Sequence, residues 1–461
     1  MSSLPSVNLN ALYAAAGSSS SGIDVAAAVS QILTAERAPE QQWQAQQQVI
    51  AQQTAALNQL NSGASTLMDD LDALQSPTGP LMAMNATSTQ PGVVTATATA
   101  GTAAGNHVVV VQHLASTAAW YSDAVTDGST AFTAGSFDLT VGTGSSQTTT
   151  TITIGNGVNT PQDLVKYVNG LNLGITASVV TDATGSRVAL FSNSSGSASD
   201  FSIAPSGTST DNIFTRASSG SNAALTVDGV PVSSATNTVG GVINGVTLNL
   251  YGEAPDTEVN LSIGPSTSSA SQAINAFVSA YNSLVSQVNS QYAYDSTNQT
   301  SGPLSGDSTV RMLQSELLAA PSYVTGGSGI SSLQSLGITM NDDGTLTVDS
   351  GALNAAIQND PGAVQAFFQG TSMNGFAANL KSGLNTFADP SEGAFTVDLT
   401  SYNNQNTDLQ HQIDDFETYI ATEQTRLTNE YNLANIVLLQ MPQQLKQIDA
   451  MLGNNTNGSN G

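Results

Sequence analysis

The chain has 461 residues, with 34 Asp and Glu against eight Lys and Arg, a formal net charge of −26 and only 9% charged residues. A surface so poor in cations cannot neutralise a row of phosphates or settle on an anionic lipid face, which argues against nucleic acid and membrane partners. Cysteine is absent, so disulfides and thiolate metal sites are excluded, and no apolar run approaches the ~18 residues that cross a bilayer.

Residues 1–22 are rich in Ser, Ala, Asn and Gly and read as disordered in the isolated chain. They have neither a basic start nor an apolar h-region, so a Sec-type signal is not expected. Asp24 is placed to cap a short helix carrying Val25, Val29, Ile32 and Leu33, and Pro39 separates that helix from the next. Over 43–74 two interleaved series recur every seventh residue: Trp43, Ile50, Leu57, Ala64, Leu71, and Gln46, Gln53, Leu60, Leu67, Leu74. That is the seam of a helix built to pack on another, a rod of about 48 Å at ~1.5 Å per residue.

Ser76-Pro77-Thr78-Gly79-Pro80 breaks the helical pattern, and short strands follow to about residue 263. Residues 93–98 and 107–111 flank a Gly-rich turn and predict a hairpin. Strands are expected at 137–141 and 151–154, then a helix opened by Thr160-Pro161-Gln162-Asp163 that turns Leu164, Val165 and Val168 inward. Strands return at 175–180 and 187–191. Residues 225–227 and 230–232 are joined through Asp228-Gly229, a strong hairpin signal, and 246–250 and 259–263 alternate cleanly. The reading is an outer β domain inserted in an inner one.

Helical spacing resumes from Ser271 with Ile274, Phe277, Val278, Tyr281, Leu284, Val285 and Val288, and again after Asp307 with Val310, Leu313 and Leu317. A hairpin is expected around Asp343-Gly344, then helices near 353–358 and after Asp360-Pro361, and a loop after Pro390. A closing rod carries Leu409, Phe416, Val437 and Met451 in one series and Ile413, Ile420, Leu427, Ala434, Met441 and Ile448 in the other. Pro442 is expected to kink it or end its first part. The fold class is α+β multidomain: terminal helices pair as a leg, and two β-rich head domains are inserted between them.

Two uses of the apolar helix faces follow. Trp43, Ile50, Leu57, Leu60, Leu67, Leu71 and Leu74 against Leu409, Ile413, Phe416, Ile420 and Leu427 make an intramolecular leg seam. Ile436-Val437-Leu438-Leu439 is apolar around most of the helix, so Val437, Leu438, Met441, Leu445 and Ile448, with Val25, Val29, Ile32 and Leu33, are expected to form an assembly surface. Chemistry is poorly represented. His107 and His113 lie about 20 Å apart along one strand at ~3.3 Å per residue, too far for one metal, and His411 sits beside the rod seam. No Gly-Lys pair allows a P-loop, and Asn341-Asp342-Asp343-Gly344 reads as a turn rather than a calcium loop. The five arginines, at 37, 187, 216, 311 and 426, do not cluster. No catalytic, cofactor or metal residue is assigned.

The ordered series Gly22-Ile23-Asp24-Val25 with Glu36-Arg37-Ala38-Pro39, Phe277-Val278-Ser279-Ala280-Tyr281-Asn282, Gly302-Pro303-Leu304-Ser305-Gly306-Asp307, Leu336-Gly337-Ile338 and Gly344-Thr345-Leu346, set between two rods, resembles the bacterial flagellar filament capping proteins, the FliD-type hook-associated protein 2 family. The resemblance implies terminal segments (1–40 with 436–461) that order on assembly and a helical leg (41–79 with 269–435). It also implies an inner head domain (80–120 with 223–268) and an outer one (121–222). It implies a homo-oligomer, commonly a pentamer, at the extracellular filament tip, and export by the flagellar type III apparatus with its chaperone. Flagellin and the hook–filament junction protein are the implied partners, no enzyme activity or cofactor is implied, and a role in adhesion is added. The competing reading is a secreted β-rich adhesin or carbohydrate-active protein with helical ends.

Overall fold

The computed structural model describes residues 24–144, 147–155, 157–207, 213–296, 299–326, 329–370 and 374–453. The expectation for 1–22, and the part of the expected 436–461 segment beyond Gly453, lie outside them. The chain opens with α1 (Val25–Glu36), capped by the Asp24 carboxylate accepting from Ala27 N at 3.1 Å, and α2 (Ala38–Gln75). A 3-10 turn at Pro80–Met82 leads into strands β1 (Met84–Ser88), β2 (Val94–Ala98) and β3 (Gly105–His113). The outer part holds β4 (Ala119–Ser122), β5 (Gly135–Val141), β6 (Thr148–Ile154), α3 (Pro161–Gly170), β7 (Ile175–Asp182), β8 (Gly185–Ser192), β9 (Phe201–Pro205) and β10 (Phe214–Ser218). The chain then returns through β11 (Ala223–Val227), β12 (Val230–Ser234), β13 (Thr238–Gly240), β14 (Val246–Leu250) and β15 (Ala254–Pro265).

Helix α4 (Thr267–Tyr292) begins the second helical stretch, followed by the short pair β16 (Tyr294–Asp295) and β17 (Thr300–Ser301), α5 (Ser308–Ala319), and the hairpin β18 (Ile338–Met340) and β19 (Leu346–Val348). Helices α6 (Ser350–Asn359), α7 (Pro361–Gln369), α8 (Phe376–Ala388) and α9 (Ala394–Gly453) complete the fold. It is a mixed α+β, multidomain architecture.

Each nested insertion is pinned where its two strands of chain pass. Ser266 N donates to Ala83 O at 2.8 Å where the helical part enters and leaves the inner β part. Ser116 and Ser221 exchange backbone hydrogen bonds of 2.9 and 3.2 Å where the inner part gives way to the outer one. The inner part is a sandwich of a five-stranded sheet, ordered β1-β15-β3-β11-β12, and a three-stranded one, β13-β14-β2. Val109, Leu225, Val259 and Leu261 from the first face Val94, Val246 and Leu248 from the second. The outer part packs β10-β4-β8-β7 against β6-β5-β9 and α3, around Leu139, Ile152, Leu164, Val188 and Leu190.

Several expectations hold in detail. Thr160 and Asp163 form the capping box, with Pro161 in the first turn of α3, and Leu164 and Val168 are buried while Val165 is half-buried. Asp228 (φ 52°) and Gly229 (φ 79°) make the left-handed pair that joins β11 to β12, the geometry Asp-Gly favours. The predicted hairpin of 93–98 with 107–111 does not form. Strand β2 pairs with β14 and β3 with β15 and β11, so the two strands lie in opposite sheets. Proximity in sequence favours a hairpin, but both strands have a buried face, and the sandwich needs them on opposite sides of one core.

The helical expectations need further correction. A loop follows Pro390 as expected, but α9, which starts at Ala394, does not end at Pro442. A proline removes one donor and strains one turn, and sixty helical residues absorb that without ending. The seam also divides. Leu57, Leu60, Leu67, Leu71 and Leu74 are fully buried, but their neighbours are α4, α7 and α8 with the aromatic group Phe277, Phe367, Phe368 and Phe376. Helix α9 adds Phe395, with Leu399 and Tyr402 packed beside it, to the same cluster. An apolar stripe declares that it needs a partner without naming which one.

Candidate assembly surface

The antiparallel contact of α2 with α9 can be followed residue by residue. Trp43 meets Phe416 edge-on with ring centroids 5.4 Å apart, and Gln47 Nε2 donates to Gln410 Oε1 at 3.2 Å. Ile50 and Leu409, both buried, lie together one turn further along. Ile413 is also buried. Here α2 and α9 lie side by side.

Helix α1 then folds onto the next stretch of α9. Val29 and Leu33 are buried against Ile420 and Leu427, with Val25, Ile32 and Phe416 half-buried around them. Four of the residues expected at an assembly surface therefore line an intrachain contact. The turn between α1 and α2 is held by Arg37. Its guanidinium donates to Glu40 at 2.6 Å and to both carboxylate oxygens of Glu417, at 2.7 and 3.0 Å. Glu40 is buried, and a buried carboxylate needs such a partner. The hydrogen bond from Arg37 holds the Glu417 carboxyl below its ordinary value, and Glu417 raises that of Arg37. The sequence shows Arg37 within the Glu36-Arg37-Ala38-Pro39 motif and as one of five scattered arginines. Its scarcity as a cation was the available signal, but a partner 380 residues away could not be read.

From Leu433 onward the large apolar side chains of α9 face solvent. Val437 is 57% exposed, Leu438 38%, Met441 48%, Leu445 59% and Ile448 51%. Leu433, Ile436, Leu439 and Met451, which the expected surface omitted, are exposed as well. Consecutive positions turn by ~100°, so 436–439 cover most of the circumference, and one partner helix could not shield them all. Burying each such side chain contributes about 1.5–3 kcal/mol, enough for a handful to hold an assembly.

Among the described residues no group of three His, Asp or Glu side chains is placed to hold a metal ion. His107 Nδ1 is 2.8 Å from Asp228 Oδ2, inside the β11–β12 turn, and His411 is exposed on α9. The Asp343 carboxylate accepts from Thr345 N and its hydroxyl, closing the β18–β19 turn. No described helix is long and apolar enough to cross a membrane.

Comparison with known proteins gives this architecture a place. Residues 21–118 match the family model described as flagellar hook-associated protein 2 N-terminus, and residues 220–443 match the C-terminal model of the same family. The B-type flagellar hook-associated protein 2 of Pseudomonas aeruginosa is 28% identical over 437 residues, covering 88% of this chain and 90% of its own. The lateral flagellar hook-associated protein 2 of Vibrio parahaemolyticus is 28% identical, covering 76% of this chain and 80% of its own. Among solved structures, the D1-D2-D3 domains of the flagellar cap protein FliD from Escherichia coli superpose with a TM-score of 0.58 at 26% identity, covering 76% of this chain and 99% of that one. The interval between the two matches contains β4 to β10, so the matched residues carry α1, α2 and β1 to β3, and then β11 to β15 and the helices that follow. The chain belongs to the flagellar hook-associated protein 2 family, the FliD-type filament cap proteins.

Proposed function

We propose that this protein caps the distal tip of the bacterial flagellar filament as a homo-oligomer, with a pentamer the favoured copy number. In this reading the β domains form the outward plate, the α2–α9 leg reaches toward the filament, and the apolar end of α9 docks among neighbouring subunits. Incoming flagellin folds and adds in the space the cap holds open. Export proceeds by the flagellar type III apparatus with a chaperone, the first contact is the hook–filament junction protein, and the exposed head is the part available for adhesion.

The observation that supports this most directly is the uncovered apolar end of α9. A monomer in water gains nothing from nine exposed large apolar side chains on one helix, whereas an assembly buries them. The Leu438→Asp variant tests it, because Leu438 touches neither β domain and lies beyond the α1 contact. The purified variant is expected to keep its far-UV spectrum and thermal transition but to lose attachment to filament tips. Normal capping by this variant would overturn the assignment of that surface.

A further inference from the structure

The outer β domain has four strands at the edges of its sheets, and three of them are closed. On β7 the Asn169 side chain takes both backbone groups of Ala177, donating to its carbonyl at 3.0 Å and accepting from its N–H at 2.8 Å. On β9 the Trp120 indole donates to Phe201 O at 3.0 Å, and Pro205 ends the strand. On β10 the pairing is broken by a bulge beside Arg216, which is ion-paired with Asp200. These are the usual ways of stopping a sheet from growing.

Strand β6 has none of them. Thr148–Ile154 reads TTTTITI, with no charge, proline or glycine. It pairs with β5 in unbroken register from Gly135↔Ile154 to Val141↔Thr148, and no other described strand pairs with its free side. Threonine and isoleucine are strong strand formers, so this edge is a ready template.

We propose that the β6 edge pairs antiparallel with β6 of a second copy of this chain, about a two-fold axis through Thr151. Three features select a second copy as the occupant. The sequence is self-complementary in that register. Thr149 lies opposite Thr153 and Thr151 opposite itself on the outer face, while Ile152 and Ile154 meet Thr150 and Thr148 on the core face. Thus the inside–outside alternation of both strands stays in phase. The outer face already carries a cross-strand hydroxyl ladder, Thr140 with Thr149 at 2.9 Å and Ser136 with Thr153 at 3.1 Å, which the new pair extends. Finally, two chains of net charge −26 meet at least electrostatic cost along a neutral strand. The nearest facing carboxylate, Asp138, is held by Thr151 at 2.6 Å and would lie three strand spacings, about 14 Å, from its mate, beyond the ~8–10 Å screening length. The two-fold contact differs from a ring contact and links the outer domain of one copy to that of another.

The absence of cysteine provides the test. In the full-length protein, Thr151→Cys places one thiol at the axis, opposite its own copy at the ~4.5–5.5 Å separation of facing strand residues. Under mild oxidation this variant is expected to form a disulfide-linked dimer at least ten times faster than Thr176→Cys, an exposed position on β7 of the same domain. Adding Thr149→Lys should abolish that cross-link without changing the far-UV spectrum. Equal cross-linking at 151 and 176, or cross-linking that survives Thr149→Lys, would overturn the proposal.

Discussion

Arg37 shows how one side chain can decide whether a terminal helix stays docked. It bridges a buried glutamate and an exposed one at the turn between α1 and α2, and α1 otherwise rests on the small cluster of Val29, Leu33, Ile420 and Leu427. The Glu417 carboxyl is held below its ordinary value, first by its hydrogen bond to Arg37. A carboxyl depressed by folding contributes stability that is fully present above its unfolded value, about 4.3 for Glu, and is lost as pH falls through the folded one. Amide exchange over 25–36, corrected for intrinsic rates, should therefore stay slow from neutral pH down to about 5 and accelerate below about 4. Arg37→Gln should exchange fast at neutral pH. Within the leg, the Tyr281 hydroxyl donates to Leu317 O at 2.7 Å in a fully buried site. Tyr281→Phe leaves that carbonyl without its donor and should destabilise urea unfolding of the leg by about 1–3 kcal/mol. Neither partner was legible in the sequence, which shows that Tyr281 faces a core but not which carbonyl it meets.

At the level of elements, the strands and helices were easier to read than their partners. Capping chemistry is local, so Asp24, Thr160, Asp307 and Asp360 announce helix starts that the structure keeps. Helix α8 lacks a side-chain cap at Gly375 and was missed, although Phe376, Leu380, Leu384 and Phe387 carry the right spacing. Pairing is nonlocal, and there proximity misled. Strands β2 and β3 were joined by their short connection, yet the core between two sheets separates them. The division of the α2 seam between α9 and α4 was equally invisible, since both offer an apolar stripe of suitable length. Asn169 supplies a test at this scale. Asn169→Ala uncovers both backbone groups of Ala177 on β7, and should destabilise the outer domain by about 1–3 kcal/mol. It should also raise its tendency to aggregate on heating, which light scattering during a thermal ramp will record.

Across the whole molecule, charge and apolar burial oppose one another. Each copy carries −26, so assembly brings like charges together while covering the end of α9. Screening weakens the first effect over distances beyond ~10 Å and leaves the second intact. Raising salt from low to moderate should therefore shift sedimentation toward larger species, and dissociation by salt would contradict the view that apolar contacts drive assembly. The central claim, that this chain caps the growing filament, is tested most directly in the source bacterium with its gene deleted, by comparing flagellin shed into the medium with flagellin held in filaments. The account predicts that monomeric flagellin accumulates outside the cell, that filaments are lost, and that added purified protein restores them. Filaments of normal length and number in the deletion strain would contradict it.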